Sequence, residues 1–181
     1  MHMIFRLLLL MLTWRRRSPV GIFDVARLDM RALLTDIDTA GHINNGMYFS
    51  LFDLGRFDLM LRAGVWNGMV KRRWVPVVQA ETIRFRKSVT LGQKFTMETR
   101  IAGLDDRHIL LEQRIVADGE IYASGMIAAR FRSRGGAVPM PEVLAAFGVE
   151  PPAHLRAPEW VEPWLEATRL PSARKAAPSD W

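Results

Sequence analysis

From Gly46 to Arg62 the chain reads GMYFSLFDLGRFDLMLR. Met47, Tyr48, Phe49, Leu51, Phe52, Leu54, Phe57, Leu59, Met60 and Leu61 lie too widely around a 3.6-residue turn to form one stripe. A helix apolar over most of its circumference is buried on most sides, so the rest of the chain must wrap it. Asp53/Arg56 and Asp58/Arg62 fall at helical spacing and pair on its few polar positions. Asn44 and Asn45 are N-cap candidates, and Ala63-Gly64 ends the helix.

The wrapping material follows as four alternating runs, Val75 to Lys87, Gln93 to Ile101, His108 to Val116 and Glu120 to Arg132. Ile83 and Phe85 oppose Arg84 and Arg86; Phe95, Met97 and Ile101 oppose Lys94, Glu98 and Arg100; Ile109, Leu111 and Ile115 oppose Glu112 and Arg114. Asp118-Gly119 is a hairpin turn and Asp105-Asp106 marks the turn before it. Short turns in succession predict an antiparallel meander with one wet face. A first strand is expected within Val20 to Thr35. The class is α+β, an antiparallel sheet wrapped around a long helix. One sheet cannot cover such a helix, so a second copy is expected to complete the cover, as a homodimer or a dimer of dimers.

Residues 20–139 read as the domain, with an N-terminal apolar/basic segment (1–19) before it and a C-terminal region (140–181) after it. Met3 to Leu12 is apolar apart from Arg6 and precedes Arg15-Arg16-Arg17. That run is half of what spans a bilayer, and its charges follow rather than precede it, the wrong order for a signal peptide. It reads as a helix docked on the domain; a weak interfacial anchor giving peripheral membrane contact is the alternative. Toward the C-terminus, Glu142 to Phe147 predicts a short helix, and Trp160 and Trp164 at i, i+4 suggest a docked helical turn in a proline-rich tail. The last ten or so residues read as disordered.

The chain has no cysteine, which excludes disulfides and thiol nucleophiles and suits a reducing cytoplasm. Its net charge of +6 favours anionic partners. No nucleic-acid motif or aromatic-basic ladder accompanies that charge, and no histidines fall at metal-ligand spacing, so neither nucleic acid nor metal is expected.

Chemistry concentrates just ahead of the helix, in Asp36-Ile-Asp38-Thr-Ala-Gly-His42-Ile-Asn44-Asn45-Gly46-Met-Tyr48. Backbone N–H groups near Asn45 and Gly46, in the first turn, can hold negative charge developing on a carbonyl oxygen. A carboxylate beside them can attack that carbonyl or activate water. The loop offers no serine or cysteine, so the carboxylate must act. Asp and Asn also cap helices and fix turns, which is the structural alternative.

Asp38-x-x-x-His42-x-Asn44-Asn45, followed by Tyr48 and a long helix, resembles the hotdog-fold thioesterases, in the branch that includes 4-hydroxybenzoyl-CoA thioesterase and the plant acyl-carrier-protein thioesterases. The resemblance spans about Asp24 to Arg132. It implies a hotdog fold and hydrolysis of an acyl-CoA or acyl-carrier-protein thioester, with coenzyme A entering only as part of the substrate. By that likeness Asp38 is the nucleophile or general base, the Asn45 N–H is the oxyanion contact, and His42 and Asn44 shape the site beside Asp36, Gly46 and Tyr48. The plant enzymes carry an asparagine two residues after the aspartate; here that position is Ala40, and their later catalytic glutamate has no match.

The sequence supplies another carboxylate. Strict alternation sets Gln79 and Glu81 in phase with Val77, Ile83 and Phe85 and turns Glu81 toward the helix, unless a bulge near Pro76 shifts the phase. A buried carboxylate is paired or functional, so Glu81 joins the candidate substrate-binding residues. Arg84 and Arg86, on the outward face, are candidates for the coenzyme A phosphates. A non-catalytic thioester-binding or membrane-associated scaffold is the alternative to hydrolysis.

Overall fold

The computed structural model describes residues 2–171 and 175–179. The disorder expected of the last ten residues falls in part on 172–174 and 180–181, outside the described residues. In chain order the elements are α1 (His2–Thr13), β1 (Ala26–Arg31), α2 (Asn45–Arg62), α3 (Trp66–Arg72), β2 (Val75–Phe85), β3 (Lys94–Leu104), β4 (Ile109–Ala117), β5 (Glu120–Ser133), β6 (Gly136–Val138), α4 (Met140–Phe147) and α5 (Val161–Ala167). Short 3₁₀ turns occupy Trp14–Arg16 and Leu34–Asp36.

The long helix is α2, and an antiparallel sheet ordered β1-β3-β4-β5-β2 curls around it, with β6 paired to β5. This is the hotdog architecture. Inward residues of the sheet (Phe95, Met97, Ile101, Leu111, Ile115, Ile127) meet Leu51, Phe52 and Leu59 of α2 in one core. Gly125 permits the contact at the centre: a Cβ there would lie 2.5 Å from the Phe52 ring.

Only β3, β4 and β5 form a consecutive meander; β2 lies beyond β5, at the opposite edge from β1. The link from β2 to β3 therefore crosses under the start of α2, where Val89 accepts from the Ile43 N–H at 2.9 Å and Thr90 bridges His42. This detour joins the motif loop to the sheet. Within β2 the register slips between Val78 and Ala80. Glu81, Ile83 and Phe85 do face α2, but ahead of the bulge it is Pro76 and Val78 that border an apolar cavity, and Gln79 is exposed. The slip thus breaks the phase that tied Val77 and Gln79 to Glu81.

The outer face of the sheet is not wet throughout. Ala102, Leu110, Met126 and Ala128 form a second apolar cluster there, closed by Val161 of α5 with Trp164 and Leu165. The Trp160/Trp164 turn is thus a docked helix, its rings 5.9 Å apart. Two elements have no counterpart in the sequence reading: α3, anchored by the buried Met69, and the short β6.

The N-terminal helix docks, as its length suggests. Leu10 is buried, Met3 and Leu7 pack on the core, and α1 lies along α2. It covers part of α2. Two arginines bind this segment to the domain: Arg6 pairs with Asp36, and Arg17 pairs with Asp58. Asp58 is fully buried on α2 and also holds Arg62 at 3.0 Å, as the helical spacing predicts.

Candidate functional site

The residues before α2 form a small hairpin. Ile37 pairs with Ile43, the Asp38 N–H donates to His42 O at 3.0 Å, and Gly41 turns the tip at φ +82°. A side chain with a Cβ resists that φ, so glycine is required there. Ile43 is 1% exposed and pins the returning strand, which delivers Asn44 as the N-cap. The Asn44 Oδ1 accepts from the Gly46 N–H at 2.9 Å. The cap consumes the Gly46 N–H that the sequence reading left free, and it commits the Asn44 side chain to the helix. Among the described residues the Asn45 N–H has no acceptor.

Asp38 lies in the hairpin ahead of the cap, near enough to Tyr48 for its charge to act on the phenol. Its Oδ1 accepts from the Ala40 N–H at 2.9 Å and lies 3.7 Å from His42 Nδ1. Its other oxygen has no hydrogen-bond partner among the described residues. Both side chains are partly open to solvent. Tyr48, on the first turn, is buried with its ring edge-on to Phe85 at 4.9 Å. Burial raises its hydroxyl above the usual phenol range, the nearby Val89 backbone works against that, and the Asp38 charge adds to it. Tyr48 therefore remains a neutral hydroxyl within the field of Asp38. The hairpin and the first turn of α2 thus supply a carboxylate, a free backbone donor and a phenol.

The other candidates lie elsewhere. Asp36 is buried and turned away from the turn: Oδ2 accepts from Arg6 at 2.6 Å and from the Leu33 N–H at 2.8 Å. Its backbone O accepts from the Asn44 N–H at 2.8 Å, so it supports the cap from beneath. Arg84 lies on the exposed face of β2, opposite Ser124, and Arg86 follows the strand and pairs with Glu120.

Glu81 belongs to a polar cluster at the middle of α2. Arg56 Nη2 lies 2.9 Å from Glu81 Oε1, an ion pair without hydrogen-bond alignment, and also holds Asp53. Arg56 Nη1 donates to Gln113 Oε1 at 2.8 Å. The Gln113 amide donates in turn to Phe52 O and Thr99 Oγ1, each at 2.9 Å. Burial pushes the Glu81 carboxyl above its usual range, Arg56 pulls it back, and Asp53 adds to the rise. The helical spacing predicts the Arg56–Asp53 pair, which is present, but not the contacts of Arg56 with Glu81 and Gln113 or the part played by Thr99. The signal was present, since Thr99 and Gln113 interrupt the inward apolar phases of β3 and β4 and face each other in register.

Beyond Arg56, toward the end of α2, lies an apolar cavity of about 320 Å³. Met60, Met69, Val78, Phe131, Val143 and Phe147 line it, and Asp53 and Arg56 are its charged lining residues. At 1.5 Å per residue, Arg56 is roughly 16 Å along α2 from Asn45.

The model of the thioesterase-like superfamily matches residues 32–148, a stretch that includes the turn, α2 and the sheet from β2 to β6. The protein THEM6 of Danio rerio is 36% identical over 100 residues, covering 55% of this chain and 50% of that protein. The chain thus spans about half the length of the curated relatives it matches first. Among solved structures, YbaW, a probable thioesterase from Escherichia coli, superposes with a TM-score of 0.63 at 18% identity, over 67% of this chain and 95% of that one. The gentisyl-coenzyme A thioesterase BH1999 superposes at 0.59 with 19% identity, over 68% and 100%.

Proposed function

Because the chain belongs to the thioesterase-like superfamily, we propose that it hydrolyses an acyl thioester at the turn before α2. What supports this is an Asp38 oxygen and an Asn45 N–H that are both without partners among the described residues, one in the hairpin before α2 and the other at the start of α2. The thioester carbonyl oxygen accepts from the Asn45 N–H, where the helix dipole favours negative charge. Asp38 takes a proton from water as the water oxygen bonds to the carbonyl carbon. The C–S bond then breaks, and the thiolate leaves and takes up a proton. Direct attack by Asp38 is the alternative route, through an anhydride that water opens. The Ala40 N–H orients the carboxylate, His42 stands beside it at 3.7 Å, and Tyr48 closes the site against β2.

The substrate class is an acyl-CoA or an acyl-carrier-protein thioester. BH1999 acts on a coenzyme A thioester by its name. Of the arginines assigned to the coenzyme A phosphates, Arg84 is exposed and Arg86 is shared with Glu120. The reading includes a homodimer: β2 presents an 11-residue edge that pairs with nothing among the described residues, and such an edge accepts another strand.

The test is release of free thiol from a chain-length series of acyl-CoA esters. Measurable turnover on at least one member is expected. If chain-length preference reflects the apolar cavity, kcat/KM rises until the acyl chain can run from the turn to Arg56. Tight binding across the series without turnover would replace this reading with a non-catalytic thioester binder.

A further inference from the structure

We propose that the outer face of α1 rests in the interface of an anionic lipid bilayer, so that the domain is held at the membrane surface by a helix lying in its plane. The inner face of α1 is already used. Met3, Leu7 and Leu10 pack on the core, and Arg6 reaches the buried Asp36. The outer face is apolar and uncovered: Ile4, Phe5, Leu8, Leu9, Met11 and Leu12 are 39–79% exposed. Such a contiguous stripe on one helix marks an interaction surface rather than scattered surface side chains.

Charge identifies the occupant. Arg15 and Arg16 follow the stripe on the next turn, both exposed, with the Arg15 guanidinium over the Trp14 ring. Arg17 is turned inward to Asp58, so the two outward arginines have a fixed base. No Asp or Glu occurs before Asp24. A self-paired α1 in a second copy would bring these arginines near no acid of the same segment, whereas anionic headgroups supply the missing charge. Aromatic and leucine side chains above a basic rim are the composition of an interfacial helix.

Docking decides the orientation. Among the described residues no helix is long and apolar enough to cross a membrane. The inward ion pairs at Arg6 and Arg17 also keep the helix against the domain, so it meets the lipid side-on.

The test is co-sedimentation of the full chain with phosphatidylcholine vesicles and with vesicles that also contain phosphatidylserine. The wild type is expected to pellet with the anionic vesicles. Substituting Phe5→Gln, Leu9→Gln and Leu12→Gln together, all at exposed positions, should abolish pelleting and leave the unfolding midpoint unchanged. Arg15→Gln with Arg16→Gln should weaken partition to anionic vesicles about thirtyfold and leave partition to neutral ones unaltered. Wild type that stays in the supernatant with both vesicles, or a triple variant that pellets like wild type, would overturn the proposal. A lipid-free dimer that the triple variant abolishes would assign the face to a second copy instead and equally overturn it. None of these readouts depends on catalysis, so the outcome is separate from that of the thioester reading.

Discussion

Arg6→Met should destabilise this protein far more than an arginine on an N-terminal helix ordinarily does. The Arg6 side chain is 14% exposed and its partner Asp36 0%, so the variant strands a carboxylate in the interior. Removing one member of a buried pair costs about 3–5 kcal/mol. Set against a typical total of about 5–15 kcal/mol, that is a large fraction. At roughly 2–4 °C per kcal/mol for a chain of this size, the midpoint should fall by roughly 6–20 °C. The pair itself is imperfect, because Arg6 Nη1 and Asp36 Oδ1 are buried without hydrogen-bond partners. Removing both charges should therefore be far milder. Asp36→Asn keeps an oxygen for the Leu33 N–H, and the double variant Arg6→Met/Asp36→Asn should recover most of the loss. Urea unfolding of the wild type, both singles and the double gives the coupling energy. A single Arg6→Met loss below about 1 kcal/mol, or a double no more stable than that single, would refute the account of α1 as a built-in part of the domain.

Gly55→Ala should cost about 1–3 kcal/mol by overpacking, because its Cβ would meet Thr99 Oγ1 at 2.6 Å and Gln113 Nε2 at 2.8 Å; an unchanged urea midpoint would contradict this close approach of α2 to the sheet. Glu81→Gln should alter the pH dependence of stability in a defined direction. Burial raises the folded-state value of Glu81, so its contribution is fully present below the ordinary glutamate range and is lost as pH rises through the raised value. The variant should gain on the wild type as pH increases from about 4 toward neutrality, and a stability difference that stays flat with pH, or falls, would count against the buried Glu81.

The legible parts of this fold were those set by local pattern. The circumference of α2 announced a wrapped helix, and alternation placed the inward residues of β3, β4 and β5. The place of β2 beyond β5 was not legible, because register across the sheet depends on the Val89 and Thr90 contacts with the motif loop. The bulge at Gln79 was likewise a tertiary event, and alternation alone misassigned Val77 and Gln79. At the candidate site, the motif sets Asp38 and His42 in the hairpin and Asn45 and Tyr48 on the first turn of α2. Asp36 looks equivalent to Asp38 in sequence, and only the docking of Arg6, thirty residues earlier, shows that it faces the interior. The Arg56 cluster stayed hidden for the same reason: its partners come from α2, β2, β3 and β4.

In the proposed reaction the Asp38 carboxylate activates the water that attacks the bound thioester, or attacks it directly. Steady-state hydrolysis by wild type and Asp38→Asn, on the best ester of the series, tests it most directly. Asparagine can still accept from the Ala40 N–H, so the turn should hold and substrate binding persist. The account predicts a fall in kcat of about 10²–10⁴ with KM little changed. Equal turnover by the two proteins would contradict it.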